Sequence, residues 1–202
     1  ALPIWVERAL LVQPNSGYGE DNRCLLSAIA ASGGRWKGIA VVPPDASLER
    51  LAELKAQGIV GVAFNLTYFE RGYYAQSAAL IGKLAELDLI LQLQVSGDLI
   101  FDILPLVQNS PVRLLIDHCG RPEPARGLDQ PGFQALLALG RAGRAAVKLS
   151  GYMKYSTLAH PFPDTWPFAR ALFEAFGPEA CVWGSDWPFL RARARCDYGP
   201  LV

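Results

Sequence analysis

Seven times along the chain a short apolar run is followed by turn residues and then by a longer amphipathic stretch, and this recurrence limits the fold more than any other feature. It is the sequence form of βα units on a parallel sheet. The apolar runs predict strands over Ala9–Gln13, Trp36–Val42, Val60–Leu66, Leu89–Val95, Arg113–His118, Ala145–Ser150 and Cys181–Asp186. The stretches between them predict helices over Asp21–Ser32, Ser47–Gln57, Tyr74–Leu87, Leu99–Gln108, Gly132–Gly143 and Asp164–Phe176. Ser47 and Asp164 stand where helix N-caps belong. Gly58, Gly143 and Gly177 follow helix ends, where a left-handed residue is favoured.

Seven such units allow an open doubly wound sheet or a (β/α)8 TIM barrel. The strand LILQLQV puts Gln92 and Gln94 on one face, and AVKLS does the same with Lys148 and Ser150. A barrel lumen tolerates such polar groups better than the core of an open sheet. Strand spacings of about 24 to 36 residues suit a ring of equal units. No glycine-rich dinucleotide fingerprint follows the first strand. The expectation is therefore an α/β chain forming one incomplete TIM-barrel domain over residues 1–202. The barrel needs eight strands and roughly 250 residues. The shortfall, together with an N-terminus that is not Met, reads as a barrel lacking its first strand and its last helix.

Nineteen basic residues balance nineteen acidic ones, so no overall field gathers nucleic acid or anionic lipid. The one basic cluster, Arg191, Arg193 and Arg195, is local. Mean hydropathy of +0.17 excludes a disordered chain, and charges recur too often for a membrane span. Four cysteines without a C-x-x-C pair fit a reducing, cytoplasmic setting, with three of them beside apolar runs as small hydrophobes. Nothing in the composition sets an oligomeric state.

In a barrel of this kind the reactive groups end the strands. The polar residues there are Gln13, Asn65, Gln94, Asp117 and His118 with Arg121 beyond, Lys148 with Ser150, and Asp186 in WGSDWP. His118 closes the apolar strand RLLID where a proton donor or acceptor is useful. His160, in LAHPFPD, reads as structural. Asp186, flanked by Trp183 and Trp187, reads as sheltered and as a candidate base. Lys148 could form a Schiff base, although a lumenal lysine paired with an acid is the plainer reading. Strand alternation turns Asp117 outward if His118 faces the lumen.

Three motifs, DHCGRP at Asp117 to Pro122, VKLSGYMKYS at Val147 to Ser156 and VWGSDWPF at Val182 to Phe189, stand in this order. Together with LVQPN at Leu11 to Asn15 and VAFNL at Val62 to Leu66, they resemble the amidohydrolase-related, lactonase-like branch of the amidohydrolase superfamily. The resemblance implies a TIM-barrel hydrolase that opens a lactone or related cyclic ester. In it Asp186 would be the general base for water, while His118 and Arg121 contact the carbonyl or carboxylate of a small-molecule substrate. Asn15, Asn65, Gln94, Tyr152 and Lys154 would complete the substrate contacts.

Superfamily members commonly bind zinc through an H-x-H pair on the first strand, which has no counterpart in this sequence. No cofactor is therefore expected. A divalent metal enters only if an H-x-H strand precedes Ala1, with His118 and Asp186 as further ligands. Where branch members that act on dicarboxylate lactones carry arginines, this chain has Ala63 and Phe69. Tyr68, Tyr73 and Tyr74 nearby suit a ring face or hydroxyls, and Arg71 could pair with one acid. A Schiff-base lyase using Lys148 and a non-catalytic barrel fragment remain the alternatives.

Overall fold

The computed structural model describes residues 7–190. The arginines at 191, 193 and 195 and Cys196 lie outside the described residues. The chain is α/β and divides into two compact units. One comprises residues up to Leu93 together with Asp102–Leu114, and the other comprises Gln94–Phe101 and the chain from Leu115 onward.

In the first unit β1 (Ala9–Val12) is followed by a kinked turn, α1 (Asn15–Tyr18), and by α2 (Arg23–Ala31). Then come β2 (Trp36–Ala40), α3 (Leu48–Ala56), β3 (Ile59–Asn65), α4 (Ala78–Glu86) and β4 (Ile90–Gln94), and the short α5 (Leu104–Val107) ends the unit. β1 pairs with β2, and β2 with β3, in parallel. β3 is buried along nearly its whole length, as expected of a parallel strand covered on both faces. α3 starts where the side chain of Ser47 accepts a hydrogen bond from Arg50 N, with Glu49 in its first turn and Lys55 in its last. Leu51 and Leu54 of α3, and Leu80, Ile81 and Leu84 of α4, form their buried faces.

The second unit carries β5 (Leu114–Ile116), whose first residue belongs to the other unit, then α6 (Pro131–Arg141), β6 (Ala145–Leu149), α7 (Tyr152–Tyr155), α8 (Trp166–Phe176) and β7 (Cys181–Trp183). β6 and β7 pair in parallel. α6 packs on α8 through Phe133 and Phe168, whose rings meet edge to face at 5.1 Å. Asp98 caps α6 by accepting from Gly132 N at 2.8 Å.

Three expected elements differ. The helix over 99–108 resolves into a tight turn, Gly97–Asp102, and the single helical turn of α5, because Pro105 has no N–H to donate back along the chain and is accommodated only in the first turn of a helix. The helix expected from Tyr74 starts at Ala78; Tyr74 lies in the turn before it, where its hydroxyl oxygen accepts from Asn65 N–H at 3.0 Å. Asp164 does not cap α8. Its carboxylate takes the Ser156 hydroxyl and both the N–H and the hydroxyl of Thr157, leaving α8 to begin at Trp166. Among the described residues no helix is long and apolar enough to cross a membrane.

Candidate active site

β5 ends at Ile116, two residues before the predicted end, and the chain then departs from strand geometry. Asp117 is extended, but His118, Cys119, Gly120 and Arg121 have φ of 50°, 57°, 69° and 43°. An L-residue in this left-handed region costs about 1–2 kcal/mol, and three of the four carry side chains. Hydrogen bonds from Gly120 N to Asp117 O and from Arg121 N to His118 O, both 2.9 Å, hold the curl. Arg121 O accepts from Gly97 N at 3.2 Å. Backbone strain of this kind concentrates where side chains must be aimed.

The curl overturns the alternation expected for Asp117. Strand geometry would put Asp117 and His118 on opposite faces; here both join one buried cluster. His118 Nε2 lies 3.3 Å from Asp117 Oδ2 and 3.3 Å from Asp186 Oδ1. Lys148 Nζ is 3.0 Å from Asp117 Oδ1. Lys154, on α7, sits 3.2 Å from Asp186 Oδ2 and donates to Leu190 O at 2.8 Å. On the other side of the ring, His118 Nδ1 is 3.0 Å from Ser150 Oγ. The side chains of Asp117, His118, Lys148, Lys154 and Asp186 are each 5–12% exposed.

Burial lowers the pKa of His118, and Arg121 and Lys148 push the same way against the two carboxylates. A pKa displaced in this direction favours the neutral ring. Burial alone would raise Asp117, but His118, Lys148 and Arg121 outweigh it and hold its carboxyl below the ordinary range. Cys119, enclosed beside the backbone oxygens of Lys148 and Ser150, is pushed up to about 11 by burial, which makes it inert as a nucleophile.

Asp186 also has a positive φ, 56°, and lies past the end of β7, which stops at Trp183. The expectation that two tryptophans shelter it is corrected: Trp183 is 50% and Trp187 69% exposed. His118 and Lys154 provide the enclosure instead. Lys148, weighed as a Schiff-base nucleophile, is engaged with Asp117. Arg71, weighed as a partner for a substrate acid, makes a two-point pair with Asp102 at 2.7 and 2.9 Å.

The predicted contact residues divide. Arg121, Tyr152 and Lys154 belong to the unit that carries the cluster, as does Gln94 at the end of β4. Asn15 and Asn65 belong to the other unit, where they bond to each other at 3.0 Å. Asn65 Oδ1 also accepts from Thr67 N and Oγ1, at 3.2 and 2.8 Å, shaping the turn after β3. Sequence reasoning gave Ser150 no role, although the period-two spacing of Lys148 and Ser150 was the signal that could have assigned one.

The residues present do not fit a zinc site. Such a site wants at least three protein ligands, and among the described residues no group of three His, Cys, Asp or Glu side chains is arranged to hold an ion. Each carboxylate of the cluster already faces an ammonium group.

A parallel α/β chain with a buried acid, base and cation cluster beyond its strands defines a class, and comparison with known proteins gives it a family. The chain belongs to the amidohydrolase family, whose model matches residues 6–201. It is 34% identical over 191 residues to a 4-sulfomuconolactone hydrolase of Hydrogenophaga intermedia, covering 93% of this chain and 62% of that protein. It is 28% identical over 185 residues to a 2-pyrone-4,6-dicarboxylate hydrolase of Comamonas testosteroni, covering 85% and 59%. The chain thus spans about 60% of the length of these relatives. The crystal structure of a "probable 2-pyrone-4,6-dicarboxylic acid hydrolase" from Acinetobacter baumannii, with citric acid bound, superposes with a TM-score of 0.80 at 28% identity, covering 96% of this chain and 73% of that one.

Proposed function

We propose that the protein is a hydrolase that opens a lactone or related cyclic ester, built on a (β/α)8 barrel of which this chain carries seven strands. The observation that carries the reading is one imidazole shared by two buried carboxylates, Asp117 and Asp186, at 3.3 Å each. Asp186 takes a proton from water, and the water oxygen attacks the acyl carbon. His118 Nε2–H and Arg121 hold the carbonyl oxygen as charge develops on it. The intermediate collapses with cleavage of the bond from acyl carbon to ring oxygen, and the proton passes from Asp186 to the leaving alkoxide, so that lactone and water become a hydroxy acid. Lys154 balances the charge of Asp186, and Lys148 that of Asp117.

The lactone-hydrolysing relatives support the substrate class. With Ala63 and Phe69 in place of cationic side chains and Arg71 paired with Asp102, a sugar lactone or other weakly charged lactone fits better than a dicarboxylate. Gln94, Tyr152 and Lys154 are the proposed substrate contacts beside Arg121. Steady-state kinetics on a panel of sulfonated, dicarboxylate and sugar lactones tests the reading. Asp186→Asn keeps shape but accepts no proton from water, and should slow ring opening about 10²- to 10⁴-fold. A variant that retains most of its turnover would move the base elsewhere.

A further inference from the structure

Ser150 is 2% exposed, so its hydroxyl cannot meet a substrate, yet it is the group 3.0 Å from His118 Nδ1. A serine hydroxyl can donate to a ring nitrogen or accept from one. The direction of this single bond decides what the opposite nitrogen can do. If Ser150 accepted, the proton of the neutral ring would sit on Nδ1, and Nε2 would turn its lone pair toward two carboxylate oxygens at 3.3 Å. That arrangement opposes acceptor to acceptor. If Ser150 donates, Nε2 carries the proton and faces both oxygens as a donor. The packing leaves the ring little freedom to choose otherwise. A Cβ built on Gly151 would stand 2.6 Å from Nδ1, so the imidazole lies directly against backbone.

We propose that Ser150 is a positioning residue that donates to His118 Nδ1, fixes the Nε2–H tautomer, and so makes His118 a hydrogen-bond donor that cannot act as the base. Proton abstraction then falls to Asp186. Only this last step rests on the lactone-opening reading; the tautomer does not.

Long-range ¹H–¹⁵N spectra of the ¹⁵N-labelled protein test the tautomer directly, because the chain has two histidines and His160→Gln identifies the second. The expected wild-type spectrum shows a protonated Nε2 and an unprotonated Nδ1 displaced by an accepted hydrogen bond. In Ser150→Ala that displacement disappears while the His160 signals stay in place. A proton on Nδ1 in the wild type, or protons on both nitrogens near pH 7, overturns the proposal. So does an S150A spectrum that superposes on the wild type. Should S150A fail to fold, the wild-type spectrum alone decides. In a lactone assay S150A should lower kcat about tenfold with KM unchanged, the scale set by one unpaired buried acceptor. If no lactone is turned over, the function fails while the tautomer result stands.

Discussion

Gly151→Ala tests the geometry of the site through a single methyl group. Gly151 has φ of 66°, and an added Cβ would lie 2.6, 2.7 and 2.8 Å from His118 Nδ1, Cγ and Cβ. Carbon atoms in ordinary contact stand about 3.5–4.0 Å apart, so the ring root must move by roughly 1 Å. It cannot slide freely, because the left-handed curl at residues 118–121 fixes its backbone. Alanine in the left-handed region costs about 1–2 kcal/mol, and overpacking of this kind adds about 1–3 kcal/mol. Together they predict a loss of about 2–5 kcal/mol in urea unfolding, followed by tryptophan fluorescence. Displacement by about 1 Å also predicts a roughly 10²-fold loss of lactone turnover per folded molecule. Gly143→Ala is the control: φ is 64° and nothing lies within 4 Å of its added Cβ, so it should show the backbone cost alone and normal turnover. If G151A behaves like G143A in both assays, the close approach of the imidazole to residue 151 is wrong.

Asn22 is 4% exposed and ties α2 to the end of β2, donating to Glu20 O and Val41 O at 2.9 and 2.8 Å and accepting from Val41 N at 3.1 Å. Asn22→Leu leaves both Val41 groups unpaired and should cost about 2–4 kcal/mol by the urea midpoint. Because burial lowers the pKa of His118 beneath its ordinary 6.5, the unfolded chain binds more protons below that pH. Stability contributed by the neutral ring is complete above pH 6.5 and declines as the pH falls beneath it, toward the lowered folded value. His118→Gln should flatten the urea midpoint in this window, and an unchanged slope would refute a buried neutral ring. The lowered pKa of Asp117 acts separately, below its ordinary 3.8.

The strands were legible because covered parallel strands must be apolar and short. The start of α3 was legible because Ser47 offers a side-chain acceptor followed by an acidic first turn. The segment 99–108 misled because its apolar periodicity is helical while Pro105 breaks the hydrogen-bond pattern, and periodicity carries no information on that break. Within the site, His118, Asp186 and Arg121 were legible as strand-end polar residues in recognisable motifs. The place of Asp117 was not, since period-two reasoning holds only while the chain stays extended, and the strand ends one residue before it. Asn65 illustrates a different loss. A polar residue ending a strand does not disclose from sequence that its oxygen accepts from Thr67 and its amide donates to Asn15, so that it shapes the turn after β3.

The left-handed residues explain how two adjacent side chains serve one site. Along an extended chain, neighbours face opposite ways, so an acid next to a histidine could not touch it. By entering positive φ at His118, the chain brings the ring back over Asp117, and positive φ at Asp186 accompanies the approach of the second carboxylate to the same Nε2. Two anions converging on one nitrogen would repel each other in a buried setting, and a lone pair of buried carboxylates tends to share a proton rather than stay ionised. Lys148 and Lys154 remove that conflict by giving each acid its own cation at 3.0 and 3.2 Å. In the proposed tautomer the imidazole bridges them as a donor, with Ser150 behind it. Removing either lysine would therefore disturb more than one contact, since the acid it leaves behind would compete for the proton on Nε2, and the proposed division of labour between a donating His118 and a proton-accepting Asp186 depends on that proton staying where it is.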